Sequence, residues 1–185
     1  MQKTLVLLVI LALCVLPASS AGTKKAGPEE KKTRINEMAD TTIQELLAES
    51  PGAKELFDKA YGYAVFDNLK LSLMISGGGG QGVAVNKSSG ARTFMKMGTV
   101  GLNIGLGGQK YQLVFFFQDS KRFNGFVEHG WQADAQANAV AGTEGVAAGT
   151  TFKNGMAVYQ ITEAGLMLQA DIAGTKYWKS KKLNH

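Results

Sequence analysis

One cysteine, three prolines and two histidines are all that 185 residues contain of the types that most often carry chemistry or interrupt a fold. Each scarcity excludes something. Cys14 stands inside an apolar run near the start, so a chain cleaved beyond it has no thiol for a disulfide or for thiolate catalysis. Stability then has to come from a packed core. His129 and His185 are far apart, and no spacing of His, Cys and carboxylates matches a metal site. His129 follows Glu128 at the end of a predicted helix, where a cation meets the negative end of the helix dipole. No proline follows Pro51. Proline removes a ladder donor, so its absence over so long a stretch suits strands paired on both sides.

What is present at the start reads as an export signal. Lys3 precedes the apolar run Leu5 to Leu16, Pro17 breaks it, and Ser19-Ser20-Ala21 supplies the small residues of a cleavage site. The run is shorter than the ~20 residues a spanning helix needs. Leu13 is a poor neighbour for lipidation at Cys14, so a lipoprotein is not expected. The expected location is periplasmic or secreted, after cleavage near Ala21. The expected organisation is a signal peptide over 1–21, a flexible basic linker over 22–32, and a single domain over 33–185.

Charge is unevenly placed. Residues 22–34 carry Lys24, Lys25, Lys31, Lys32 and Arg34 against Glu29 and Glu30, and residues 176–185 carry Lys176, Lys179, Lys181 and Lys182. The stretch between them is net acidic. This pattern predicts basic ends that touch an anionic surface, or merely keep the chain soluble, and not a nucleic-acid cleft.

Apolar residues Ile35, Met38, Ala39, Ile43, Leu46 and Leu47 recur at helical spacing from Thr33 onward. Ser50 before Pro51 predicts a cap and a second helix through Ala53, Leu56, Phe57, Ala60 and Tyr61, ended by Gly62. From Tyr63 the period becomes two. Residues 86–90 form a polar turn, 100–117 form a long extended candidate, and Tyr111 to Phe117 is too apolar for the surface. Asp119-Ser120 predicts a cap on a short helix ended by Gly130, and alternating alanines over 133–141 predict a strand. Asn154-Gly155 is a hairpin signal, and Thr175 to Trp178 a last strand. The fold class that follows is α+β, mainly antiparallel β. Two N-terminal helices pack on a curled, glycine-rich barrel or sandwich, with one short helix between strands.

The glycines carry an ambiguity. Gly77, Gly79 and Gly82 formally match a dinucleotide fingerprint, but Val83-Ala84-Val85 and a polar turn follow where a helix should begin. Lys and Ser/Thr are absent from the phosphate-loop positions, which Val83-Ala84 occupy. The expected role is structural. Gly77, Gly79, Gly80, Gly82, Gly101, Gly105 and Gly107 leave one face of a bent sheet bare, and valine at Gly79 or Gly82 is expected to damage folding.

Residues 77–85, 101–109, Phe115-Phe116-Phe117, Trp131 to Ala135, Glu163 to Leu166 and Gly174 to Lys176, in that order and spacing, together resemble the SYLF domain from about Thr33 to Lys182. Phe66-Asp67-Asn68 departs from the family, which commonly has a proline after its first strand. The resemblance implies a lipid-binding module. Eukaryotic members bind phosphoinositides, partly through an N-terminal amphipathic helix, some yeast members bind actin, and bacterial members are often exported. No family lysine maps residue by residue onto this chain. Actin is not expected in this compartment.

The expected function is therefore non-enzymatic binding of an anionic phospholipid membrane surface, without catalytic residues, metal or cofactor. The candidate lipid-binding residues are Lys31, Lys32, Arg34, Ile35 and Met38 at one end, and Lys176, Trp178, Lys179, Lys181 and Lys182 at the other. The alternative is a structural or protein-interaction component of the cell envelope. A hydrolase built on Glu128, His129 or Asp134 is a third, weaker reading.

Overall fold

A computed structural model of the chain describes residues 26–73, 75–102, 107–132, 151–162, 165–167 and 174–185. The signal peptide with Cys14, the alanine alternation at 133–141, Gly105 and Asp134 lie outside the described residues.

Helix α1 spans Pro28–Glu49 and α2 spans Pro51–Lys59. The first begins earlier than Thr33, so residues from Pro28 on belong to the helix and not to the expected linker. Pro28 in the first turn has no N–H to lose, and Glu29 and Glu30 sit at the positive end of the dipole. Ser50 separates the helices. Its Oγ accepts a hydrogen bond from the Ala53 N–H at 3.2 Å, satisfying one of the orphan donors of α2. Ser50→Ala is expected to cost about 1 kcal/mol, read as a lower urea midpoint with unchanged slope. An unchanged midpoint would show the cap to be idle. Helix α2 stops at Lys59, short of Gly62, because Ala60 is already extended and the Tyr61 N–H donates to the Phe117 carbonyl at 2.8 Å.

Among the described residues eight strands follow: β1 Gly62–Leu73, β2 Ile75–Asn86, β3 Arg92–Leu102, β4 Gly107–Phe117, β5 Trp131–Gln132, β6 Met156–Thr162, β7 Gly165–Met167 and β8 Thr175–Lys179. The extended candidate at 100–117 thus divides between β3 and β4. Helix α3, Ser120–His129, lies between β4 and β5; the Asp119 carboxylate accepts from the Arg122 N–H, and Gly130 ends it at φ 75°. Asn154 and Gly155 take φ values of 51° and 77° before β6, the left-handed pair that a tight hairpin turn requires.

All strands pair antiparallel in the order β5-β8-β3-β2-β1-β4-β6-β7. Among the described residues β5 and β7 are edges. Among the described residues the sheet is a curled antiparallel half-barrel, so the expected α+β, mainly antiparallel fold with a curled sheet is what the structure has. Helices cover both faces. On one face Tyr63, Val65, Val83, Val114 and Phe116 pack against Ile35, Ala39, Ile43, Leu46 and Leu56 of α1 and α2. On the other, Ala64, Phe66, Ala84, Leu113, Phe115, Phe117 and Tyr177 pack against Phe123 and Phe126 of α3. Alternate residues of the run Leu113 to Phe117 therefore enter two different cores, which is why that run shows no polar face.

The glycines of β2 divide by the same alternation. Gly80 and Gly82 face α3, and there a Cβ would run into the β1 backbone, at the Asp67 carbonyl and the Val65 carbonyl respectively. That close approach is what a strongly curled sheet imposes. Gly79 faces α1, and a Cβ there comes no nearer than 3.6 Å to the Met97 carbonyl oxygen, an ordinary contact. A methyl group is therefore accommodated at Gly79, as it is not at Gly80 or Gly82. Gly77, Gly101 and Gly107 lie in β2, β3 and β4, opposite Leu71, Ser76 and Ser72. No helix follows the glycines, since β2 continues to Asn86.

Candidate functional site

Strand pairing builds the site one row at a time. Across the α1 face, Tyr159, Val114, Val65, Val83 and Phe94 stand side by side, and every one is buried. Two residues further along each strand, on the same face, the row reads Ile161, Gln112, Asp67, Gln81, Lys96 and Trp178. The face changes from apolar to polar within one step. The buried stripe of α1 covers the apolar row, and its N-terminal turns project over the polar one.

The position of α1 is set by β3. Arg92 donates from Nη1 to Asn36 Oδ1 at 3.1 Å and from Nη2 to Asp40 Oδ1 at 2.7 Å. Both partners are partly exposed, so the ion pair adds only ~0–1 kcal/mol, but the two-point grip sets which side of the helix meets the sheet. The C-terminal segment is held as firmly. Asn184 accepts from the Phe94 N–H at 2.9 Å and donates to the carbonyls of Phe94 and Ser180, both at 2.7 Å. Leu183, in a single 3-10 turn at Lys181–Leu183, is buried against the α1 side. Lys181 and Lys182 are thus carried on a docked turn, and Lys176 and Lys179 on β8.

A cleft opens between the first turns of α1 and the polar row. Its larger compartment, about 600 Å³, has Lys31, Arg34, Ile35, Glu37, Met38 and Thr41 above and Asp67, Gln81 and Gln112 below, with Gly79 and Gly80 as floor. A smaller compartment of about 320 Å³ lies on the β8 side and is lined by Lys31, Gln81, Lys96, Trp178, Ser180 and Lys182. Lys31, Gln81 and the two glycines belong to both compartments, so the cleft is continuous beneath α1. Trp178 is 39% exposed, and its ring lies over Gly98, where a Cβ would stand 3.2 Å from Cη2.

Of the residues singled out in the sequence, Lys31, Arg34, Ile35, Met38, Trp178 and Lys182 meet in this cleft. Lys32 turns away to Glu29 at 2.9 Å and to the Phe94 ring at 5.9 Å. Lys176, Lys179 and Lys181 are exposed and line neither compartment. Glu37, Asp67, Gln81, Lys96 and Gln112 escaped the sequence reading. A signal for two of them existed: a hairpin folded at the polar turn 86–90 brings Gln81 opposite Lys96.

Titratable groups with displaced pKa values lie away from the cleft. Burial pushes the Tyr159 phenol up to about 12 and raises Tyr63, with Arg92 opposing the rise in Tyr63. Burial lowers Lys87, whose ammonium donates to the Phe57 carbonyl at the end of α2 and sits 4.3 Å from that ring's centre. Among the described residues no three His, Cys, Asp or Glu side chains come together to hold a metal ion.

Over 155 residues, or 84% of its length, the chain is 50% identical to Beta cell expansion factor A of Aeromonas veronii. The two proteins are homologous. The matched region is 59% of that relative, so the chain spans less than two thirds of the relative's length. No family model matches the chain. At 50% identity the sheet, the helices and the cleft described above are expected to be common to both proteins across the aligned region.

Proposed function

We propose that the chain is an exported SYLF-type protein that binds anionic phospholipid at a membrane surface and carries out no reaction. One observation carries this reading. Lys31, Arg34, Ile35 and Met38 from the first helix meet Trp178 and Lys182 from the last strand and turn in a single cleft, although the sequence separates them by almost the whole domain. Cations beside apolar and aromatic side chains at an open rim suit a headgroup together with the carbon chain beneath it. The order of the glycine, phenylalanine and Glu-Ala-Gly-Leu stretches supports the SYLF assignment. Asp67 and Glu37 bound the cationic region, so attraction is confined to part of the cleft.

Cosedimentation tests the reading. The chain is expected to pellet with phosphatidylglycerol or cardiolipin vesicles at low salt, to be released as salt rises, and to ignore phosphatidylcholine. Replacing Lys31 and Arg34 together by glutamine is expected to weaken binding by ~2 kcal/mol, about thirtyfold, at ~1 kcal/mol per cation near the surface. Binding indifferent to lipid charge, or to the double substitution, would sink it.

A further inference from the structure

We infer that the smaller compartment is a subsite for one compact dianion of the phosphate-monoester type, and that the larger compartment takes the uncharged remainder of the ligand. The inference rests on the anionic-ligand reading above and divides the cleft between two tasks. The charges lining the two compartments differ. In the larger one Lys31 and Arg34 face Glu37 and Asp67, so cations and carboxylates balance. The smaller one gathers Lys31, Lys96 and Lys182 with no carboxylate in its lining, and among the described residues none of the three is ion-paired. Three ammonium groups around one concavity produce a positive potential that a doubly charged ligand neutralises better than a singly charged one.

A second, independent observation points to the same place. Ser180 lines this compartment, is 1% exposed, and its Oγ has no hydrogen-bond partner among the described residues. A buried hydroxyl without a partner is unfavourable unless a ligand atom supplies one. The Gln81 amide adds a further donor to the lining. A monoester offers three terminal oxygens, enough to engage the ammoniums, the amide and the hydroxyl together. The Trp178 ring closes one side with an apolar face suited to the carbon skeleton that bears the phosphate. At about 320 Å³ the compartment stands at the lower end of the ~300–1,000 Å³ range of small-molecule sites, suited to a headgroup.

The same chemistry is available from a free metabolite or from a lipid headgroup, and two probes separate them. Glycerol 3-phosphate is titrated calorimetrically into the full chain, and phosphatidic acid in phosphatidylcholine vesicles is tested by cosedimentation. At least one is expected to bind, more tightly at pH 7.5 than at pH 5, because a phosphate monoester gains its second charge near pH ~6. Lys96→Gln should weaken that binding about tenfold. Ser180→Ala should weaken it about fivefold while leaving the unliganded chain no less stable, because it removes an unpaired hydroxyl. Lys121→Gln, on α3 across the sheet, should change nothing. If neither probe binds, or if Lys96→Gln and Lys121→Gln act alike, the subsite is overturned. Phosphatidylglycerol binding that persists in that event leaves the membrane reading standing. Binding of glycerol 3-phosphate without binding to any vesicle upholds the subsite and ends the membrane reading.

Discussion

Gly82→Ala is expected to leave little or no folded protein, while Gly79→Ala folds as the parent chain does. The two glycines belong to one strand, so local propensity cannot separate them. What separates them is the face of the sheet each one occupies. A Cβ at Gly82 would meet the Val65 carbonyl and the Phe66 ring, whose Cγ would lie 2.8 Å away. The first obstacle is backbone, and β2 is paired to β1 on one side and β3 on the other, so it has no free direction in which to move. Overpacking against movable side chains costs ~1–3 kcal/mol. Against a fixed backbone the cost is expected to exceed that range, enough to consume much of a domain stability of ~5–15 kcal/mol. Gly79→Ala places its methyl at the floor of the cleft in ordinary contact, and the lost chain entropy of glycine favours alanine by ~0.4–1 kcal/mol. Urea melts followed by circular dichroism decide the matter. Equal midpoints for the two variants would refute the assignment of faces.

The second large effect is expected at Phe115. Its ring is fully buried on the α3 side and lies 5.9 Å from Phe66, 5.4 Å from Phe126, 5.9 Å from Trp131 and 5.1 Å from Tyr177, centre to centre. The ring thus joins β1, α3, β5 and β8 to the strand that carries it. Phe115→Ala removes those contacts and leaves a cavity that rings braced against one another cannot fill by relaxing. The expected loss is ~3–5 kcal/mol, a fall in the urea midpoint larger than that of Ser50→Ala. Phe115→Leu keeps most of the volume and should cost less. A loss below ~1 kcal/mol for the alanine variant would mean that the α3 side is loosely packed, contrary to the burial of its rings.

Some of this was legible in advance because the forces concerned act over a few residues. Ser50 caps α2 and Asp119 caps α3 by bonding an N–H three residues on, and Gly130 and Asn154-Gly155 adopt backbone conformations their residue types favour. The apolar run Leu113 to Phe117 already implied a strand covered on both faces, which that part of β4 is. The early start of α1 was missed because its first turn is polar all round and shows no apolar period. The order of the strands was not legible, because it depends on pairing between segments far apart in the chain.

The cleft shows the same division more sharply. Composition and local order determined that cations and amphipathic side chains gather near both ends of the domain, and that the glycines at 77–82 do not form a nucleotide loop. Only the tertiary structure decided that Lys31, Lys96 and Lys182 share one compartment, that Asp67 and Glu37 neutralise the other, and that Gly79 lies open at the cleft floor while Gly82 is locked against β1. The reason is register. A strand's alternation shows that its residues have two faces but not which row they join, and a one-residue slip would exchange Gly79 with Gly80 and remove Gln81 from the cleft. Pairing over the whole sheet, held by two apolar cores, removes that freedom.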